Sequence, residues 1–145
     1  MQRVTSARVE VGDEIVGSIE AGWCALIGVT HADTTAEAKK MAARIATLRV
    51  FDDEDGVMNR SVEDAGGAVL VVSQFTLYAD TRKGRRPAWG GAAPAEVAEP
   101  LIVELVDELG RLGLPVETGR FQADMVVHIV NDGPATIIVD VDAPG

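Results

Sequence analysis

Ala68-Val69-Leu70-Val71-Val72-Ser73 is apolar throughout until its closing serine and follows the Gly66-Gly67 pair. A run this short, bounded by a glycine turn, reads as a central strand covered on both faces. It delivers Ser73-Gln74-Phe75-Thr76 to its carboxyl end. Such a strand requires layers around it, and the flanking sequence supplies them. Upstream, Thr34 and Glu37 have capping-box spacing, and Ala38, Met41, Ala42, Ile45, Ala46 and Leu48 follow at helical intervals, which predicts a helix over about 35–48. Before it, Arg3–Val11 and Ile15–Glu20 flank the turn pair Gly12-Asp13 as an antiparallel hairpin, and Trp23–Val29 makes a third strand. Downstream, Pro94 suits a first helical position, and Leu101, Leu105, Val106, Leu109 and Leu112 recur on one face up to Gly113, with Pro100 expected to bend or restart that helix. Val116–Thr118, Val126–Val130 and Ile137–Val141 read as short strands, the last two joined by a turn at Asn131-Asp132-Gly133-Pro134. Strands, helix, strands, helix, strands is an α+β order, with two main helices packed on a curved, mostly antiparallel sheet.

The 145 residues fit one domain over 1–145, and a chain of this length buries about 68–70% of its unfolded surface without needing a disulfide or metal. The longest uncharged apolar stretch, Ala21–Val29, is far short of the ~20 residues of a membrane span, and no apolar run precedes Glu10. Cys24 stands alone between Trp23 and Ala25, as a small core residue does in a reducing compartment. A cytoplasmic protein is expected. Net charge is −10, from 23 acidic and 13 basic residues, so a polyanion is repelled unless positive charge is concentrated. Arg82, Lys83, Arg85 and Arg86 supply that concentration within a single loop, residues 77–93, which lacks periodicity and reads as the most mobile segment.

Conventional catalytic groups are scarce. The only histidines are His31, in a loop, and His128, which alternates with Val126 and Val130 along a strand. A Ser73–His128–Asp arrangement is one reading, although no Gly-x-Ser-x-Gly elbow surrounds the serine. The glycine-rich stretches match neither a P-loop nor a dinucleotide fingerprint, and no metal-ligand spacing occurs, so neither cofactor nor metal is expected.

Two stretches remain, Ser73-Gln74-Phe75-Thr76-Leu77 at a strand end and Asn131-Asp132-Gly133-Pro134-Ala135-Thr136 at a turn. Together they resemble the two signatures of the D-aminoacyl-tRNA deacylase family, Ser-Gln-Phe-Thr and Asn-x-Gly-Pro-x-Thr. Tyr78–Pro87, Gly91–Pro94 and Glu117–Phe121 stand in the family's order as well, so the resemblance covers nearly the whole chain. Two departures, Ala135 for a larger branched residue and Trp89-Gly90 for a serine and phenylalanine pattern, bear on local packing.

The resemblance implies a barrel-like core, a homodimer with its active site at the subunit interface, and hydrolysis of the ester joining a D-amino acid to the 3′ end of tRNA. Ser73, Gln74, Phe75 and Thr76 would surround the ester, with a main-chain N–H near Phe75 facing the oxyanion. Gly133 and Pro134 match a cis peptide that excludes L substrates from the neighbouring subunit's pocket. Met125, Asn131, Thr136 and Arg3 would line or brace the substrate site, and Arg82, Lys83, Arg85 and Arg86 would grip tRNA phosphates. A non-catalytic dimeric RNA-binding protein and a small-ester hydrolase using Ser73 and His128 stand as alternatives from the residues alone.

Overall fold

The computed structural model describes residues 1–142. Its chain order is β1 (Gln2–Val11), β2 (Glu14–Ile19), β3 (Gly22–Ile27), α1 (Thr35–Thr47), β4 (Phe51–Asp52), β5 (Met58–Arg60), β6 (Ala68–Ser73), a 3₁₀ turn (Phe75–Tyr78), α2 (Ala95–Arg111), β7 (Val116–Thr118) and β8 (Val126–Thr136). The β1–β2 hairpin turns through Gly12 at φ +58°, a value glycine adopts without steric cost. β1 is the organising strand. One of its edges pairs with β3 through Gln2–Val4 and with β2 through Ala7–Val11, and the other pairs with β8 along most of its length.

β3, β6 and β7 are parallel neighbours, so the six-stranded sheet is mixed, with its antiparallel part gathered around β1. The sheet curls until β2 and β7 nearly meet. A Cβ at Gly17 on β2 would lie 2.2 Å from the Thr118 carbonyl oxygen on β7, so only glycine lets the two strands come this close. The result is an almost closed barrel.

The continuous apolarity of β6 is explained by its two faces. Val69 and Val71, with Trp23, Ala25 and Ile27 of β3, meet the helices, whereas Leu70, Val72 and Cys24 point into the barrel with Val4, Val9 and Ile19. α1 is set by the expected capping box: Thr34 Oγ1 accepts from the Ala36 N–H, and Glu37 Oε2 accepts from the Thr34 N–H at 2.7 Å. It buries Ala42, Ile45 and Ala46, and α2 buries Ala98, Ile102, Leu105 and Leu109 against the same layer. Burial pushes the Cys24 thiol up to about 11, so it stays protonated and inert. No helix among the described residues is long and apolar enough to cross a membrane.

Four local expectations need correction. Pro94 is the N-cap of α2, one residue before its first turn. Pro100 neither breaks nor restarts α2, which runs unbroken from Ala95 to Arg111 with this proline exposed. Residues 77–93 are held by backbone pairing between Asp80 and Ala88 at 2.8 and 2.9 Å, which makes the basic stretch the tip of a small hairpin. The most consequential difference is that residues 126–136 form one strand and 137–141 form none. β1 holds β8 on both sides of Asn131–Thr136, pairing Val4 with Asn131 and Gln2 with Thr136, so two steps along β1 span five along β8. The surplus residues bulge out of the ladder and do not reverse the chain.

Candidate active site

Ser73 ends β6 opposite Ile27, and the Gln74 N–H donates to the Ile27 carbonyl at 2.7 Å, which pins the strand end before the chain turns away. Leu77 N–H donates back to Gln74 at 3.2 Å and closes the 3₁₀ turn. The Phe75 and Thr76 N–H groups, at the start of this turn, donate to no protein acceptor among the described residues. Two main-chain donors are therefore exposed beside Ser73. The Thr76 hydroxyl accepts a short hydrogen bond from Gln74 Nε2, and an amide cannot take a proton from it.

Ser73 opens on a cavity of about 170 Å³ whose walls come from β6, α2 and the segment after β7, including Val106, Thr118, Gly119, Phe121 and Met125. Met125 and Ser73 line the same cavity. Gly119 and Phe121 were assigned no role from sequence; the signal available was that Gly119 follows β7, which lies beside β6 and brings its end level with Ser73. A Cβ on Gly119 would lie 2.7 Å from Met125 Sδ, so this glycine makes room for the methionine. A larger cavity of about 440 Å³ lies between α1, α2 and residues 136–142; it takes Leu77, Tyr78 and Thr136 but not Ser73.

The Asp132–Ala135 bulge is tied at its base and open at its tip. Asn131 Oδ1 accepts from the Ala135 N–H at 3.2 Å, and Asn131 Nδ2 donates to Thr136 Oγ1 at 3.3 Å, closing the bulge across its neck. Arg3, only 6% exposed, donates through Nε to the Asp132 carbonyl at 3.3 Å and through Nη1 to the Val50 carbonyl at 2.8 Å, with Asp52 at 3.4 Å. The brace expected of Arg3 is present. Gly133–Pro134 is a cis peptide, and both residues are exposed. Neither lines the Ser73 cavity, so within one chain the tip of the second signature does not reach Ser73, although the far ends of the two stretches, Leu77 and Thr136, share the larger cavity.

A family model described as D-Tyr-tRNA(Tyr) deacylase matches residues 1–140. The chain belongs to this family. The D-aminoacyl-tRNA deacylase of Symbiobacterium thermophilum is 57% identical over 140 residues, covering 97% of this chain and 93% of that protein. The D-aminoacyl-tRNA deacylase of Thermus aquaticus is 54% identical, with 97% and 92% covered. Among solved structures, one titled "c-Myc DNA Unwinding Element Binding Protein" superposes with a TM-score of 0.92 at 41% identity, covering 98% of this chain and 97% of that one. One titled as a probable eukaryotic D-amino acid tRNA deacylase superposes at 0.75 with 14% identity, a likeness of fold, covering 90% and 91%. Membership makes the protein a hydrolase of the deacylase kind and sets aside the non-catalytic RNA-binding reading.

His128 Nε2 lies 3.3 Å from Glu10 Oε1 on the neighbouring strand, where Glu10 is also held by Arg8 at 3.0 Å. The Arg8 bond first, and His128 second, keep the Glu10 carboxyl below its usual range. His128 does not line the Ser73 cavity, so the Ser73–His128–Asp reading is not assembled. Among the described residues no three His, Cys, Asp or Glu side chains gather as metal ligands.

The basic cluster is smaller than its sequence. Arg82 forms a two-pronged pair with Asp80, Nε to Oδ1 at 2.9 Å and Nη2 to Oδ2 at 2.7 Å, so its charge is already answered two residues upstream. Lys83, Arg85 and Arg86 make no side-chain hydrogen bond or ion pair among the described residues, and all three are exposed. Within this cluster they are the unpaired charges; Lys39, Lys40 and Arg44 on α1 are exposed and make no ion pair among the described residues as well.

Proposed function

We propose that this deacylase hydrolyses the ester of D-aminoacyl-tRNA in translation quality control, in the cytoplasm where tRNA is charged, and that a second copy of the chain supplies its chiral filter. The observation that carries the reading is the separation of the Gly133–Pro134 tip from Ser73: an open, braced tip that misses its own Ser73 cavity is suited to enter a partner's. L- and D-amino acids carry identical groups, so discrimination has to come from something stiff placed where only the L side chain would go. Main chain tied by Arg3 and Asn131 has that stiffness.

In the proposed reaction a water oxygen attacks the ester carbonyl carbon. Charge develops on the carbonyl oxygen, and the Phe75 and Thr76 N–H groups stand ready to meet it. The carbon–oxygen bond to the ribose then breaks, the ribose oxygen takes a proton, and free D-amino acid and tRNA leave. Ser73 and Gln74 position the ester, and the neighbouring ribose hydroxyl helps to activate the water. Thr76 needs a base to act as a nucleophile, and its hydroxyl meets only the Gln74 amide. Thr76→Ala should therefore keep most of its turnover in a single-turnover release assay. A fall of about 100-fold or more, the scale of a lost catalytic group, would make Thr76 the nucleophile.

The substrate reading is tested with tRNA charged with D-tyrosine, L-tyrosine or glycine. D-Tyrosine should be released, L-tyrosine retained, and glycine, which has no side chain to collide with the filter, released to some degree. Equal release of D- and L-tyrosine would remove the filter, and complete resistance of glycine would remove its steric basis.

A further inference from the structure

Phe75 and Trp89, distant in sequence, meet edge to face with ring centroids 5.2 Å apart and planes at 67°. Large aromatic rings seldom pair in the open, yet Phe75 is 56% and Trp89 41% exposed. Their position is specific. Phe75 opens the 3₁₀ turn two residues after Ser73, and Trp89 follows Ala88, the residue that closes the basic hairpin against Asp80. The far side of Trp89 is fixed too: its carbonyl accepts from the Ala92 N–H at 3.0 Å, the Gly90 carbonyl meets His31 Nε2 at 2.7 Å, and the Gly91 carbonyl accepts from Thr30 Oγ1 at 2.6 Å. Trp89 is thus a half-open ring on anchored backbone, packed on Phe75 and one residue beyond the base of the hairpin that carries Lys83, Arg85 and Arg86.

Open aromatic faces next to a cationic track are what unpaired nucleotides bind, because every base offers a π-face while the phosphates follow the charge. An apolar peptide would also cover the rings but would have no use for three unpaired cations beside them. Resting on the deacylase reading above, we infer that Trp89 is a positioning residue that stacks the base next to the tRNA's terminal nucleoside. The terminal nucleoside must sit at Ser73–Phe75 for its ester to reach the site. The next base along the strand then falls on the ring beyond Phe75, and the following phosphates reach the hairpin tip. Trp89 touches no reacting atom; it holds the acceptor end in register.

The test compares two substrates, D-tyrosyl-tRNA and 3′-O-(D-tyrosyl)adenosine, which carries the ester but lacks the second base. Loss of one stacked base is worth ~1–3 kcal/mol, so Trp89→Ala should raise KM for the tRNA by about 5- to 150-fold with kcat little changed. It should leave kcat/KM for the adenosine ester at the wild-type value. Trp89→Phe, which keeps a ring, should recover most of the loss on tRNA. An equal fall on both substrates would make Trp89 a mere support for Phe75 and overturn the inference, as would unchanged KM for the tRNA. If the wild type releases D-tyrosine from neither substrate, the deacylase reading itself fails. Release from both by the wild type with no tRNA-specific loss in Trp89→Ala defeats the stacking role alone.

Discussion

Arg3→Ala should lower D-tyrosine release by about 100-fold, the loss that a misplacement of about 1 Å in a positioned group can bring, and should weaken rejection of L-tyrosyl-tRNA at the same time. The guanidinium is buried and serves three elements at once: the Val50 carbonyl, the Asp52 carboxylate and the Asp132 carbonyl at the root of the Gly133–Pro134 bulge. Its removal leaves the Val50 carbonyl without this donor, a cost of about 1–3 kcal/mol. In a domain of this size that lowers Tm by roughly 2–4 °C per kcal/mol. The flanking carboxylates are half exposed, so they add little to the stability loss. Arg3→Lys should fall between, because a point charge cannot reproduce a planar fork that donates in two directions. Paired measurements of D and L release and of Tm check this. An Arg3→Ala protein with wild-type turnover and selectivity would show that the bulge holds its shape unaided.

Gly119→Val should separate activity from stability. The first carbon of any side chain at Gly119 would lie 2.7 Å from Met125 Sδ, and the methionine is flexible enough to yield. It lines the cavity beside Ser73, about 170 Å³, and that is the open space it can yield into next to the serine. The fold should survive with an overpacking cost of about 1–3 kcal/mol, whereas kcat/KM should fall by about 100-fold as the ester loses its seat. Gly119→Ala should show a smaller loss, and adding Met125→Ala should restore much of it by returning the space. Melting curves beside single-turnover kinetics decide the point. A Gly119→Val protein with full activity would place the ester elsewhere.

Much of the frame was legible because its signals are local. The Thr34–Glu37 capping box, the Gly12-Asp13 turn and the unbroken apolarity of Ala68–Val72 each act through neighbours a few residues away, and all three appear where expected. Asn131–Pro134 misled for the same reason. These residues favour a turn by their own chemistry, but β1 pairs on both sides of them and carries the strand past the excursion. The near closure of the barrel at Gly17 and Thr118 depends on strands that are remote in sequence, and a lone glycine in a strand does not announce its partner. Within the site, Ser73 and Met125 line one cavity although they are remote in sequence, and the Phe75–Trp89 contact joins two segments whose approach no periodicity encodes. The Asp80–Arg82 pair was readable: an acid two residues before an arginine is close enough to answer it, and charge counting alone overlooked this.

The hairpin tip has a consequence for how the enzyme finds its substrate. Three unpaired cations gathered on one hairpin tip make a local positive patch on a molecule whose net charge is −10. On the proposed reading, the net negative charge turns a nucleic acid away except at this tip, so productive collisions begin beside Trp89 and Phe75. On the same reading, that net negative charge limits how much of the tRNA body is embraced, which favours a brief visit to the acceptor end and early departure once the ester is cut.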